Sequence, residues 1–180
     1  MSSLKAAYYN IARTQPSILL RNLTDDGLPE GNSNSNVNGS VTPVEFYVQP
    51  PANLQFEITG ITIGVSDVGT PAITDYGNVL GPLTNGIQFF VDRGVTRALF
   101  GNPIHTNREL IELAPMTQRI KFAAGAEIAV YTFNAFAYSK EGIVLRGASS
   151  DKFGFIVQDN ISTLVSHVMA AKGSIRLESV

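Results

Sequence analysis

The two histidines, His105 and His167, are the side chains in this sequence with the widest choice of chemistry. A hydrolytic triad or a zinc site would need at least one of them. His105 lies in PIHTNRELIE, which superficially resembles an active-site loop, but no serine stands out as its partner. His167 lies in LVSHVM, among apolar residues typical of a strand. These surroundings favour a loop position beside charged residues for His105 and a structural or exposed role for His167.

Several aspartates stand in or beside segments typical of turns: Asp67, Asp75, Asp92, Asp151 and Asp159. Aspartate is common in turns because its side chain accepts hydrogen bonds from nearby backbone amides. A calcium site built from such loops is the alternative, although the D-x-D-x-D-G spacing of a dedicated calcium loop is missing. Two carboxylates on distant strands would suit glycoside hydrolysis, but nothing in the sequence selects such a pair.

Other kinds of reactive site find no support in the sequence. Cysteine is absent, which excludes disulfides, thiolate metal sites and cysteine nucleophiles. No glycine-rich nucleotide motif follows a strand. The 13 basic and 15 acidic residues give a formal charge of −2, too balanced for steering to nucleic acid by a basic field. No apolar stretch is long enough for a membrane span. We therefore expect a non-enzymatic protein made in the cytoplasm, with no cofactor, no nucleic-acid partner and no membrane partner.

The elements that carry these residues have the pattern of an all-β protein. The 180 residues suit one domain with a substantial core. Short segments rich in Val, Ile, Phe and Tyr recur between Gly, Pro and Asn signals, which predicts about nine or ten strands and no long helix. We expect a β-sandwich, with a jelly roll as the preferred closure. The predicted strands are SILLRNL, VEFYVQPP, LQFEITGITIGVSD, IQFFVD, TRALF, LIELA, TQRIKFA, AEIAVYTFNAFAYS, KFGFIVQD and SIRLES, with STLVSHVMAAKG as strand or helix.

The long segment LQFEITGITIGVSD changes phase in its middle. Leu54, Phe56 and Ile58 occupy even positions, whereas Ile61 and the apolar residues after it occupy odd positions. Because strand side chains alternate with period two, both runs can share one face only if an extra residue is inserted between them. The sequence therefore predicts a β-bulge or bend at Gly60.

Two polar or marginal segments lie outside this strand pattern. Residues 1–16 are predicted as an N-terminal arm or short helix, with a single domain over 17–180. Residues 24–40 are rich in Gly, Ser and Asn and have little to bury, so they are predicted as a mobile loop. Charged residues make up only 16% of the chain, below the ~25% usual for soluble domains, which favours a surface partly covered by neighbours in an oligomer.

The stretch YGNVLGPLTNGIQFFV, at residues 76–91, is either a binding loop or a corner of the sandwich. Its Tyr-Gly-Asn and Gly-Pro steps are turn formers, and Thr84-Asn85-Gly86 has the preference for positive φ that ends a loop before a strand. Local chemistry therefore favours a corner.

The order of several segments is similar to that of small structural proteins from tailed bacteriophage particles. These segments are GSVTPVEFYVQPP, FEITGITIGVSDVG, YGNVLGPLTNGIQFFV, GNPIHTN and DKFGFIVQDNISTLVSHVMAAKG. The resemblance spans residues 43–173 and is densest at 83–87 and 43–51. It rests on turn and strand chemistry and carries no catalytic residue.

The resemblance implies a virion component with a β-sandwich or jelly-roll fold, and within that class a capsid decoration or cement protein. Its expected partners are the major capsid protein and copies of itself, met through extended termini and edge strands. A tail, neck or fibre protein is one alternative, and a carbohydrate-binding β-sandwich is another. The residues predicted to contact partners are Met1, Leu4, Tyr8, Tyr9, Ile11, Asn32, Asn34, Asn36 and Val37.

Overall fold

The computed structural model describes residues 17–28, 37–68, 72–114, 116–121, 126–134, 142–164 and 167–178. These residues form strands joined by turns, with one short helix, α1 (Asn107–Leu113). The strands are β1 (Ser17–Asn22), β2 (Val44–Val48), β3 (Leu54–Val68), β4 (Ile87–Arg93), β5 (Thr96–Ile104), β6 (Met116–Lys121), β7 (Ala126–Asn134), β8 (Ile143–Arg146), β9 (Lys152–Val157) and β10 (His167–Leu177).

The strands form two antiparallel sheets that pack together, which confirms the predicted all-β sandwich. The first sheet has the order β1-β10-β3-β7-β6, and β8 pairs with the first half of β3 on the edge that β7 uses further along. The second sheet has the order β2-β9-β4-β5. Consecutive strands from β1 to β4 alternate between the two sheets.

The core lies between the two sheets and follows the alternation of their strands. From the second sheet, Phe153, Phe155 and Val157 of β9 are buried on the inner face, as the sequence predicts. The Phe155 ring stacks on Phe46 of β2 with 5.2 Å between centroids. The first sheet contributes residues such as Ile63 and other branched side chains to the same cluster. Aromatic and branched aliphatic residues from both sheets therefore hold the layers together.

The predicted bulge at Gly60 is confirmed. Lys172 of β10 pairs with Gly60, but the next residue, Gly173, pairs with Ile58, so Thr59 is the extra residue of β3. Ile58 and Ile61 are both buried in the core, one on each side of this shift. The inserted residue moves the second apolar run of β3 onto the same face as the first.

The prediction of a strand at LIELA is wrong, because these residues belong mainly to α1. Thr106 caps this helix, with its side chain accepting from the Glu109 amide, and the Glu109 carboxylate accepts from the Thr106 amide at 2.9 Å. This capping box needs only Thr106 and Glu109 at their three-residue spacing, which is a local signal for a helix start. Leu110 is then buried on the inner side of the helix.

Near the C-terminus, two segments predicted separately form one strand. β10 runs through both STLVSHVMAAKG and SIRLES, so the choice between strand and helix resolves as strand over residues 167–177. β7 lies between β3 and β6, as expected of a central strand, while residues 135–139 of its predicted span lie outside the described residues.

The predicted mobile loop is anchored at both of its described ends. Thr24 exchanges two backbone hydrogen bonds with Tyr47 of β2, at 3.2 and 2.8 Å. At the other end, the Val37 carbonyl accepts from the Ile161 amide, and the Val37 side chain is only 7% exposed within the core cluster. The prediction that Val37 contacts a partner is therefore corrected, because its apolar side chain contributes to the fold. The middle of the loop, residues 29–36, lies outside the described residues.

Candidate interaction surface

His105 helps to position a helix and the adjacent loop. Its Nδ1 donates to the Leu83 carbonyl at 2.8 Å, and its backbone amide donates to the Glu109 carboxylate. The segment PIHTNRELIE is thus the end of β5 followed by the cap of α1. The side chain of Asn107, buried at the first position of α1, joins the helix to the loop before β4 by accepting from the Gly77 amide and donating to its carbonyl. The resemblance of this segment to an active-site loop arises from its capping residues.

His167 is buried in the core beside Tyr76. The Tyr76 hydroxyl and His167 Nε2 share a hydrogen bond of 2.6 Å, and the edge of the imidazole meets the Phe155 ring. Burial lowers the pKa of His167 to about 4, because the charged form would lose its hydration. The neutral imidazole therefore joins the 76–86 loop to β10, in agreement with a structural role.

The Asp159 carboxylate binds the backbone of the stretch at residues 76–91. It accepts hydrogen bonds from three consecutive backbone amides, those of Thr84 at 2.9 Å, Asn85 at 3.0 Å and Gly86 at 2.9 Å. Gly86 has φ +76°, the left-handed conformation that turns the chain into β4. Consecutive amides pointing into one concavity form an anion site. Here a carboxylate of the protein itself fills that site, so the stretch is a corner.

The remaining described aspartates also serve the fold. Asp75 accepts from the Gly81 amide at 2.9 Å. Asp151 is almost fully buried and accepts from the Arg146 amide and from Arg93, whose Nη1 lies 2.6 Å away. Asp92 pairs with Arg97 on the outer face of the second sheet. The side chain of Asp67 lies outside the described residues. No cluster of possible metal ligands occurs in the part of the chain that the structure describes.

The outer face of the second sheet carries an aromatic ring covered by an arginine. Phe90 of β4 lies outside the core cluster but is fully buried, and the Arg97 guanidinium lies 4.1 Å from its ring centroid. Arg97 also binds Asp92 beside it and reaches Glu45 on β2. The hydrogen bonds that Arg97 donates to Asp92 and Glu45 raise the pKa of its guanidinium. Cation–π contact and ion pairs together cover this ring.

Gly154 of β9 leaves the space into which the Phe90 ring fits. A Cβ at position 154 would lie 2.2 Å from the Phe46 carbonyl oxygen and 2.9 Å from Phe90 Cζ. We expect Gly154→Ala to lower the free energy of unfolding by about 2 kcal/mol, because the strand backbone of β2 has little freedom to move away. Urea denaturation measures this change. Gly60→Ala is a contrasting control, because the three atoms nearest to its Cβ position all belong to the exposed Lys172 side chain, which can move away. Equal stability of Gly154→Ala and the unmodified chain would contradict the close packing.

Two exposed apolar side chains lie on the hairpin between β4 and β5. Val95 at its tip is fully exposed, and Leu99 on β5 is 58% exposed. β5 is the last strand of its sheet and pairs only with β4 among the described strands. An edge strand of this kind offers amides and carbonyls to an additional strand. The β4–β5 hairpin is therefore a surface suited to contact with another protein chain.

A cavity beside β4 and β8 does not have the lining expected of a sugar site. It measures about 500 Å³ and is lined by Arg93, Gly94, Val144, Arg146, Ser149 and Asp151. A carbohydrate site of the kind considered above needs aromatic platforms, and none of these described lining residues is aromatic. Of the tyrosines whose side chains are described, Tyr76 is buried and Tyr47 lies under Lys152.

Eight of the nine residues predicted to contact partners are not among the described residues. Met1, Leu4, Tyr8, Tyr9, Ile11, Asn32, Asn34 and Asn36 lie outside the described residues. The β4–β5 hairpin was not among the predicted contacts, although GVTRALF already showed apolar residues beside a turn in a predicted strand. Local patterns indicate such a strand, but only the sheet order shows that it lies at an edge.

No protein-family model, curated protein or solved structure matches this chain. Among the described helical residues, no helix is long and apolar enough to cross a membrane.

Proposed function

We propose that this chain is a non-enzymatic structural protein of a tailed-bacteriophage particle, and that it acts as a capsid decoration or cement protein. The particle assignment is supported by the similarity of the segments between residues 43 and 173 to such proteins. The mode of action is supported by the exposed apolar β4–β5 hairpin and its edge strand. This surface is the observation that carries the proposal, because it can bind a neighbouring chain by burying apolar surface and by forming backbone hydrogen bonds.

The reactive side chains that the structure describes support the same proposal. His105, His167 and Asp159 each bind a group of the protein itself, and each joins segments distant in the sequence. Such contacts make the corners of the sandwich rigid. A rigid sandwich that presents an apolar edge suits a protein that bridges neighbouring shell subunits.

We interpret the fold as a jelly roll. The orders β1-β10-β3-β8 and β2-β9-β4-β5 give two four-stranded sheets in which strands from the start and the end of the chain alternate. This is the arrangement expected when two Greek-key units close over one another. β6 and β7 then extend the first sheet.

The copy number of the chain in purified particles tests the proposal. Quantitative mass spectrometry of particles, with the shell protein as internal reference, is expected to give a copy number comparable with that of the shell protein. A small number matching the rotational symmetry of a tail would assign the chain to the tail, neck or fibre instead. Absence from particles would contradict the virion assignment.

The contact with the shell is expected to bury at least about 1,000 Å² in total, with apolar residues at its centre. Val95→Asp with Leu99→Asp is therefore expected to lower the occupancy of particles by about tenfold or more, because charge would be buried at the centre of the contact. The exposed Val41, away from the hairpin, provides a control in Val41→Asp. Equal occupancy of both variants would show that the hairpin is not the contact.

A further inference from the structure

A cleft opens between α1 and the edge of the second sheet because β5 bulges outward. Ile87 pairs with Ile104 and Phe89 pairs with Phe100, so three residues of β5 (Gly101, Asn102 and Pro103) lie opposite Gln88 alone. The Gln88 side chain fills part of the gap by donating to the carbonyls of Phe100 and Gly101, both at 3.1 Å. The displaced strand and the helix then face each other across an open space.

The lining of this cleft is apolar at its base and acidic at its rim. Phe89, Pro103, Ile104 and Leu113 supply the apolar surface, and α1 contributes Glu109 and Glu112. No lysine or arginine occurs among the described residues that line it. The Leu113 side chain is 50% exposed, so apolar surface remains accessible at the mouth. The cleft therefore suits an apolar group with a positive charge beside it.

Its size indicates a side chain as the occupant. The cavity measures about 220 Å³, below the about 300–1,000 Å³ typical of small-molecule sites. An aromatic side chain in a pocket of this kind is a common anchor of protein contacts. The cleft also lies beside the exposed edge of β5, where an extended segment can add backbone hydrogen bonds.

The chain contains a segment with the matching chemistry. Residues 1–16, MSSLKAAYYNIARTQP, carry the adjacent aromatic residues Tyr8 and Tyr9, the basic residues Lys5 and Arg13, and no acidic residue. We propose that this N-terminal segment of one copy binds the α1–β5 cleft of a second copy, with Tyr8 or Tyr9 in the cleft and a basic side chain beside Glu112. The inference rests on the proposed function, since it names self-association as part of assembly.

The position of β1 favours a second copy over the same copy. The N-terminal segment joins the edge strand β1 at Ser17, and Thr24, just after the other end of β1, is bound to β2. β2 and β5 are opposite edges of the second sheet. The strand spacing places these edges roughly 14 Å apart. Sixteen extended residues span up to about 53 Å, so length permits either route. To bind the cleft of its own copy, the segment would have to cross a face of the second sheet. The cleft of a second copy can lie directly beside the segment.

Sedimentation velocity of the full chain tests the charge pairing. Wild-type protein is expected to self-associate, and Glu112→Lys is expected to weaken that association by about tenfold. Ile111→Lys, which adds a charge next to Glu112 but outside the cleft lining, is the control and is expected to have a much smaller effect. Lys5→Glu with Arg13→Glu is expected to weaken association alone and to restore it when combined with Glu112→Lys. Equal self-association of the wild type and all of these variants would overturn the proposal.

Mixing two variants tests whether the N-terminal segment binds the cleft of its own copy or that of a second copy. One variant lacks residues 1–15 and keeps the cleft, and the other keeps these residues but carries Glu112→Lys with Leu113→Lys. Circular dichroism first establishes that both are folded. We expect each to be monomeric alone and the mixture to form a one-to-one complex. A mixture that stays monomeric would overturn binding between copies.

A synthetic peptide of residues 1–16 provides a direct readout on the unmodified chain. Excess peptide is expected to dissociate the wild-type complex, whereas a scrambled peptide of the same composition is not. If both peptides leave the complex unchanged, the cleft does not bind this segment. The particle copy number is measured separately, so wild-type chain present at shell-like copy number but monomeric in solution would overturn this inference and leave the proposed function standing.

Discussion

Replacing Asp159 with alanine is expected to lower the free energy of unfolding by about 4 kcal/mol, because a buried carboxylate that binds three consecutive amides is lost. The Gly86 amide is buried and would keep no acceptor after this change. The amides of Thr84 and Asn85 lie nearer to solvent, so water replaces part of their hydrogen bonding. Urea denaturation with hydrogen exchange measures both effects, and exchange should accelerate first at residues 84–86.

Asp26→Ala provides the matched control for this prediction. Asp26 also accepts from a backbone amide, that of Leu28 at 2.8 Å, but in an exposed turn. The same substitution there is expected to cost less than about 1 kcal/mol, because water can reach the freed amide. If both variants lost similar stability, the burial of the corner at 84–86 would not be the cause.

Acidification is expected to lower the stability of the fold through His167. In the unfolded chain, an ordinary histidine takes up a proton below about pH 6.5, whereas burial lowers the pKa of His167 to about 4 in the folded chain. The unfolded state therefore binds more protons between these values. Stability contributed by the neutral imidazole is fully present above about pH 6.5 and falls by about 3 kcal/mol as the pH approaches 4.

His167→Gln separates this effect from the titration of carboxylates. Glutamine cannot take up a proton in this range and retains a polar group for the Tyr76 hydroxyl. The free energy of unfolding, measured by urea denaturation between pH 7.5 and 5, is expected to fall by about 2 kcal/mol more in the wild type than in the variant. Parallel pH dependences in the two proteins would show that His167 does not titrate differently on unfolding.

The bulge at Gly60 shows what a local pattern determines about this fold. The phase change between Ile58 and Ile61 requires an inserted residue wherever both runs face the same core. Strand periodicity likewise locates β9, since Phe153, Phe155 and Val157 alternate within six residues. Both features depend only on neighbours along the chain. The start of α1 is also set by neighbouring residues. The capping box of Thr106 and Glu109 favours a helix, and this signal outweighs the strand-like apolar character of LIELA.

Patterns along the chain were sufficient to predict an all-β protein with a bulged strand and a corner before β4. The fold was needed to show that Asp159 fills that corner and that His167 meets Tyr76. It also showed that β5 is the last described strand of its sheet and lies beside an acidic cleft. The physical reason is that side-chain alternation is set by adjacent residues. The partner of a carboxylate, an imidazole or a strand edge is set by how distant segments pair and pack.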